Sequence, residues 1–243
     1  MPGAYNRISV CQIRHFVSFT APSTATSLWN TGMLIITIKQ GKEKSLLERQ
    51  PWIYASAVEK VDGRPDERFK PGATALVQSS SGKFLARAAY SPKSQIRARV
   101  WSFDPNEAID HALIKRRVKT ALDLRFGGKT HAAETLLPLI VGEADGLPGL
   151  LVDYCAQGPG YLICQFQAAG VDAWKVAIVQ SLVAGTGCPN VYERSDELIR
   201  KGEGLAVTPG PLAGDEPPEQ VILLEKGIRV AVDLCTGERH KIR

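Results

Sequence analysis

Residues 136–153 read LLPLIVGEADGLPGLLVD, and the fold turns on them. Two apolar runs, 136–141 and 147–152, flank Gly142-Glu143-Ala144-Asp145-Gly146. Short apolar runs bounded by Gly, Asp and Pro predict buried strands joined by a tight connection. Gly146 and Gly149 can take the positive φ that such a turn requires, and Pro148 fixes φ between them. On local physics alone the stretch is a structural hairpin.

The rest of the chain bounds what that hairpin belongs to. A length of 243 residues allows one or two domains with a sizeable core. Hydrophobic content of 44% and charged content of 23% are ordinary for a globular protein. A net charge of +5 leans mildly toward an anionic partner such as nucleic acid. No apolar run reaches membrane-spanning length. The five cysteines (Cys11, Cys155, Cys164, Cys188, Cys235) are odd in number and contain no C-x-x-C pair. They predict reduced thiols in a cytoplasmic protein, not a disulfide framework or a zinc site. His15, His111, His131 and His240 lack metal-ligand spacing, so no metal is expected.

Upstream of the hairpin, residues 34–38, rich in β-branched side chains, predict a first strand. GKEKSLLERQPWIY then places Lys42, Lys44 and Arg49 around Leu46-Leu47 on a short helix stopped before Pro51. Residues 74–77 and 83–89 predict further strands, separated by the turns at 69–72 and 79–82; strands this short and regular suggest a small barrel. In SQIRARVWS (94–102), alternation puts Ile96, Ala98 and Val100 on one face and Gln95, Arg97, Arg99 and Trp101 on the other. That second face is either a solvated edge or a surface whose guanidiniums pair phosphates while the indole stacks on a base. The residues alone leave both open.

Asp104 with Pro105 and Glu107 predicts a helix start, running to about Phe126, with Lys115-Arg116-Arg117 mainly on its solvent side. Gly127-Gly128-Lys129-Thr130 ends like a phosphate-binding loop, but Asp123 stands where that motif needs glycine and a helix comes first. Beyond the central turn come a strand at 161–166, a helix from Ala173 to about Ala184 capped by Asp172, and a strand at 191–194. SDELIRKGEGL follows, then a Gly/Pro-rich linker at 209–218 and a hairpin at 221–234 turned by Glu225-Lys226-Gly227.

GEADGLPGLLVD resembles the hallmark G-E-S/A-D-G-L-P-G-hydrophobic-D segment of the large-subunit ribosomal RNA (cytosine-C5) methyltransferase I family, which is class I and S-adenosylmethionine-dependent. GKEKSLLERQPWIY and ARAAYSPKSQIRARVWSFDP resemble that family's N-terminal PUA domain, and RSDELIRKGEGL resembles its R-S-D…R…E-G-hydrophobic segment. The resemblance implies binding of structured RNA through a small pseudo-barrel. It raises Lys42, Lys44, Arg49, Arg97, Arg99 and Trp101 as RNA-binding residues. It also suggests that Arg194, Asp196 and Arg200 shape a surface facing the catalytic domain, where the residues alone suggest a surface ion-pair group.

The expected architecture is α+β: a PUA-type β pseudo-barrel (33–108), then a mixed α/β middle domain (109–234) of strands flanking a helix with a C-terminal hairpin. The catalytic Rossmann-like domain is expected to be absent. Residues 1–32, free of Asp and Glu, are expected to be a disordered or spurious extension, with a transit peptide as the alternative. Residues 235–243 are expected to be a truncated end, because the family's G-H/Q-K-T-G-F/Y-Y-L-D-Q-R segment, cofactor loop and Ser-Cys-Ser nucleophile do not follow. Methylating C5 of cytosine needs a thiolate, a base and a cofactor cradle. Hence no catalytic or cofactor-binding residue is expected in this chain, S-adenosylmethionine being the full-length family's cofactor. The leading expectation is an RNA-binding portion, inactive alone, whose partner is ribosomal RNA and which can form a homodimer. A frameshifted full-length methyltransferase and a stand-alone PUA-type RNA-binding protein are the alternatives.

Overall fold

The computed structural model describes residues 33–127, 132 and 134–242. The expectations for residues 1–32, including Cys11 and His15, and for Gly128-Lys129-Thr130-His131 lie outside the described residues.

Six strands form the first sheet: β1 (Leu34–Ile38), β2 (Trp52–Tyr54), β3 (Val58–Asp62), β4 (Thr74–Ser79), β5 (Phe84–Tyr90) and β6 (Ile96–Ser102), in the order β2-β6-β5-β4-β1-β3. All neighbours are antiparallel except β1 and β4. Ile53 from one edge strand and Val58 and Val61 from the other pack on the same core as Ile36, Val77, Ala88 and Val100. The sheet therefore curls around one apolar interior. Two short helices, α1 (Lys44–Leu47) and α2 (Pro65–Arg68), sit in its connections.

The next helix, α3, runs His111–Arg125, not from Pro105. Asp110 is its cap, its carboxylate accepting the Leu113 amide at 2.9 Å, while the Asp104 carboxylate accepts the Asn106 amide at 2.8 Å. Both segments carry capping chemistry; only the second is followed by a continuous apolar stripe of Leu113, Ile114, Val118, Ala121 and Leu122.

The central turn sits between β7 (Leu136–Val141) and β8 (Leu150–Cys155), an antiparallel pair. A single 3-10 turn spans Gly142–Asp145, closed by Gly146 at φ 67°, and Gly149 follows at φ 84°. The strands continue with β9 (Tyr161–Phe166), β10 (Val191–Glu193) and β11 (Gly210–Ala213), in the order β11-β10-β9-β8-β7. β9 and β10 are parallel, and the crossover between them carries α4 (Ala169–Ala173) and α5 (Lys175–Thr186). This corrects the expected middle domain of strands flanking a helix. It is one mixed sheet containing a βαβ unit, because parallel neighbours require a crossover connection. Asp172 lies inside α4 instead of capping a helix. The expected linker also contributes β11, paired to β10.

Alternation sorts this sheet's two faces. Leu150, Val152, Leu162, Cys164 and Phe166 meet α3, α4 and α5 in the largest core. Cys155, Ile163 and Tyr192 face a small sheet of β12 (Val221–Glu225), β13 (Ile228–Val232) and β14 (Arg239–Lys241). Lys226 and Gly227 at positive φ (51° and 80°) make the two-residue turn of its first hairpin. β14 lies in the stretch expected to be a truncated end. The remaining helix, α6 (Glu197–Glu203), begins at the Asp196 cap.

Candidate nucleic-acid interface

The basic loop after β1 is built to hold its charges in water. Gly41 turns the chain at φ 80°, and buried Leu46 anchors α1 against the barrel core. Lys42 and Lys44 stand exposed on this anchored loop. The Lys44–Glu48 pair, at 3.8 Å and open to solvent, neutralises little. Arg49 takes φ 64°, an uncommon left-handed conformation, and its guanidinium lies over the Phe103 ring at 4.9 Å from the centroid. Immediately after it, β2 buries Ile53 and turns Trp52 and Tyr54 outward, 39% and 51% exposed. Cations beside outward aromatic rings can pair phosphates and stack on unpaired bases. Trp52 and Tyr54 were legible in the alternation of WIY on a strand following Pro51, a signal that the short-helix reading of this segment obscures.

The second predicted group is corrected. β6 does alternate, but the face carrying Arg97, Arg99 and Trp101 is covered by protein. Trp101 is 4% exposed and joins the large core, with Gly170 of α4 so close that a Cβ there would stand 3.2 Å from the indole. Arg99 pairs with Glu203 of α6 at 2.8 Å, its side chain 13% exposed. Arg97 donates to the Pro92 carbonyl. In this arrangement the indole cannot stack on a base, and Arg99 is already neutralised.

Glu203 is the centre of that cover. Its two oxygens accept from Ser94 Oγ (2.6 Å), Arg99 (2.8 Å), Ser91 Oγ (2.8 Å) and, more distantly, the Ala169 amide (3.4 Å). Arg200, one turn earlier, is 3% exposed and donates to the carbonyls of Ala206 and Phe166 and to Asp172. It also pairs with buried Glu193 at 3.1 Å, which Lys175 reaches at 2.8 Å. Arg200 is therefore an internal brace and not part of a surface ion-pair group.

The central turn is a joint of the same kind. Asp145 accepts the Val141 amide and pairs with Arg125 of α3 at 2.9 Å. Arg117 of α3 donates to the Gly146 carbonyl (2.6 Å) and the Trp101 carbonyl (2.8 Å). Burial lowers the Arg117 pKa, with Glu107 acting in the opposite direction. Of the basic run, Lys115 and Arg116 are exposed and Arg117 is not. Glu143 accepts from Trp52 Nε1 at 2.9 Å, tying the turn to the barrel's edge strand.

Burial pushes the thiols of Cys155, Cys164, Cys188 and Cys235 up, away from the thiolate form. Among the described residues no group of three or more His, Cys, Asp or Glu could hold a metal ion, and no helix is long and apolar enough to cross a membrane.

Residues 36–103 match a PUA-like domain family, which defines the class of the barrel. Over 204 residues the chain is 40% identical to Ribosomal RNA large subunit methyltransferase I of Aliivibrio fischeri strain ATCC 700601 / ES114, covering 84% of this chain and 50% of that protein. It is 42% identical to the protein of that name from Vibrio parahaemolyticus, covering 84% of this chain and 49% of the relative. The chain thus spans about half the length of the curated relatives it matches. The chain is similar, over about half of their length, to proteins named Ribosomal RNA large subunit methyltransferase I.

Among solved structures, a Streptococcus mutans protein assigned as a SAM-dependent methyltransferase superposes with a TM-score of 0.65 at 17% identity, covering 85% of this chain and 50% of that one. A second protein, assigned as a methyltransferase and complexed with SAH, gives 0.64 at 18% identity, covering 85% and 49%. This likeness is one of fold. It corrects the expectation of a chain in which the Rossmann-like methyltransferase domain is absent: 85% of the chain takes a fold found in SAM-dependent methyltransferases. Within this chain the parallel β9 and β10, joined through α4 and α5, form a βαβ unit. The strand, helix and second strand of this unit are each legible in the sequence; their parallel pairing is not, because periodicity carries no information on which strands become neighbours.

In open α/β sheets a cofactor sits beyond the carboxyl ends of parallel strands. At that end of β9, Arg200 takes the Phe166 carbonyl and Glu203 takes the Ala169 amide. Those two backbone groups are engaged by this chain's own side chains.

Proposed function

We propose that this chain serves S-adenosylmethionine-dependent methylation of large-subunit ribosomal RNA at cytosine C5, as a member of the methyltransferase I family. Its PUA-like barrel holds the RNA. The observation that carries this reading is the 40% identity running through both the barrel and the mixed sheet. The barrel's exposed Lys42, Lys44, Arg49, Trp52 and Tyr54 supply chemistry suited to RNA. The proposed division is an RNA-holding part at 33–108 and a middle part at 109–234, working in the cytoplasm, with a homodimer as the oligomer to test by ultracentrifugation.

Fluorescence anisotropy with a large-subunit rRNA fragment tests the reading. Replacing Lys42, Lys44 and Arg49 together by Ala is expected to weaken binding and to lower the salt slope by about 0.7–0.9 for each phosphate no longer neutralised. Trp52→Ala is expected to cost about 1–3 kcal/mol on unpaired RNA with little change in slope. Unchanged affinity in the triple variant, with its melting temperature preserved, would remove the barrel from RNA binding.

A further inference from the structure

A polar cleft of about 270 Å³ opens between the mixed sheet and the small sheet, lined by Gln165, Arg194, Ser195, Asp196, Thr236, Gly237 and Arg239. It draws on three separate stretches: β9, the segment after β10, and the β13–β14 connection. Most of its polar groups are already engaged. Asp196 caps α6, Ser195 Oγ donates to Glu193 at 3.2 Å, and Thr236 Oγ accepts the Glu238 amide at 3.2 Å.

Arg194 is the exception. Among the described residues its guanidinium has no hydrogen-bond or ion-pair partner, although the side chain is half-buried. Gly237, at φ 81°, makes room for it: a Cβ there would come within 3.0 Å of Arg194 Nη1. Arg239 approaches from β14 and holds Glu225 only loosely, at 3.5 Å, with its own side chain half exposed. Asp153 lies near both guanidiniums and Asp233 near that of Arg194, neither within ion-pair distance, and Asp233 accepts the amides of Cys235 and Thr236. Two arginines converging on a cleft, one unsatisfied by any protein acceptor, present the donor array that a phosphate's oxygens match.

We infer that this cleft is a phosphate-binding site in which Arg194 is the principal donor and Arg239 the second. The site itself rests on the cleft's geometry; that its phosphate belongs to an RNA backbone rests on the proposed function. Such a phosphate would be held on a face of the molecule supplied by the mixed sheet and the small sheet, not by the barrel.

The full chain is titrated first with inorganic phosphate and then with a short single-stranded oligouridylate, following the Arg194 Nε–H resonance by NMR. Saturable movement with either ligand is the expected result. Movement with phosphate alone assigns the cleft to a small phosphorylated compound; movement with both assigns it to the RNA backbone. In the RNA case Arg194→Gln is expected to weaken oligouridylate binding several-fold and lower the salt slope by about 0.7. A resonance unmoved by both ligands overturns the site, and it needs no variant to be observed. If the barrel triple variant loses RNA while Arg194→Gln binds normally and the resonance is silent, the cleft falls and the RNA reading stands. If no RNA binds at all, the RNA reading falls while the phosphate titration still decides the cleft.

Discussion

Asp153 ends the stretch that decides the fold, and its ionisation reports on its surroundings. Burial raises its pKa above the ordinary 3.8, outweighing Arg194 and Arg239, which lower it. The native chain therefore holds this proton more tightly than the unfolded chain. Stability contributed by the protonated form is present below 3.8 and is lost as pH rises through the raised native value. Denaturant midpoints measured across that window should show the wild type losing stability relative to Asp153→Asn as pH rises. A difference independent of pH would show that Asp153 is not desolvated. Gly149 makes a second prediction at this scale. At φ 84°, with Ala168 packed where its Cβ would go, Gly149→Ala is expected to destabilise by roughly 1–3 kcal/mol or more, read from chemical denaturation. Its need for glycine was legible in the sequence, because a turn between two apolar runs demands positive φ somewhere. That Asp145 and Glu143 act as fasteners was not, since their partners Arg125 and Trp52 come from distant stretches.

Among the elements, β6 shows where a pattern stops being informative. Alternation correctly separates Ala98 and Val100 from Arg97, Arg99 and Trp101, but period two says only which residues share a face. Whether water or another element meets that face depends on α4 and α6, and the segment forming α6 lies about a hundred residues downstream in the sequence. The clue was chemical: Glu203, in the R-K-G-E-G stretch, is a carboxylate that the buried arginine needs. Removing one member of a buried charged pair leaves the other uncompensated. Glu203→Ala is therefore expected to cost about 3–5 kcal/mol, measured by urea unfolding. Replacing both, as Arg99→Met with Glu203→Leu, should recover only part of that loss, because the buried Ser91 and Ser94 hydroxyls also lose their acceptor. A loss below about 1 kcal/mol in the single variant would mean the pair is solvated like an exposed one. The mixed sheet was only half legible for a related reason. β7, β8, β9 and β10 carry local signals, whereas β11 lies in a Gly/Pro-rich stretch and gains its identity from pairing with β10.

Across the whole molecule, the barrel does not keep its apolar residues to itself. Ala89 and Trp101 belong to the core under α3, α4 and α5, and the described residues form one compact unit. Calorimetry is expected to show a single transition with equal calorimetric and van't Hoff enthalpies. Two resolved transitions would mean that the shared core contributes little. Strand spacing predicts a small barrel but holds no information on how far it merges with the residues that follow, because Trp101 reads equally as a surface aromatic or a core one. The Glu203 cluster has a further consequence. It fastens strand β6 and the β5–β6 connection to helix α6 by three hydrogen bonds, with a fourth from the Ala169 amide of α4, leaving little room for hinge motion there. An RNA gripped at the basic loop and again at the Arg194 cleft would have to bring its own phosphates to a fixed separation. The protein would then work as a caliper, passing folded RNAs of one width and rejecting others before any base is read.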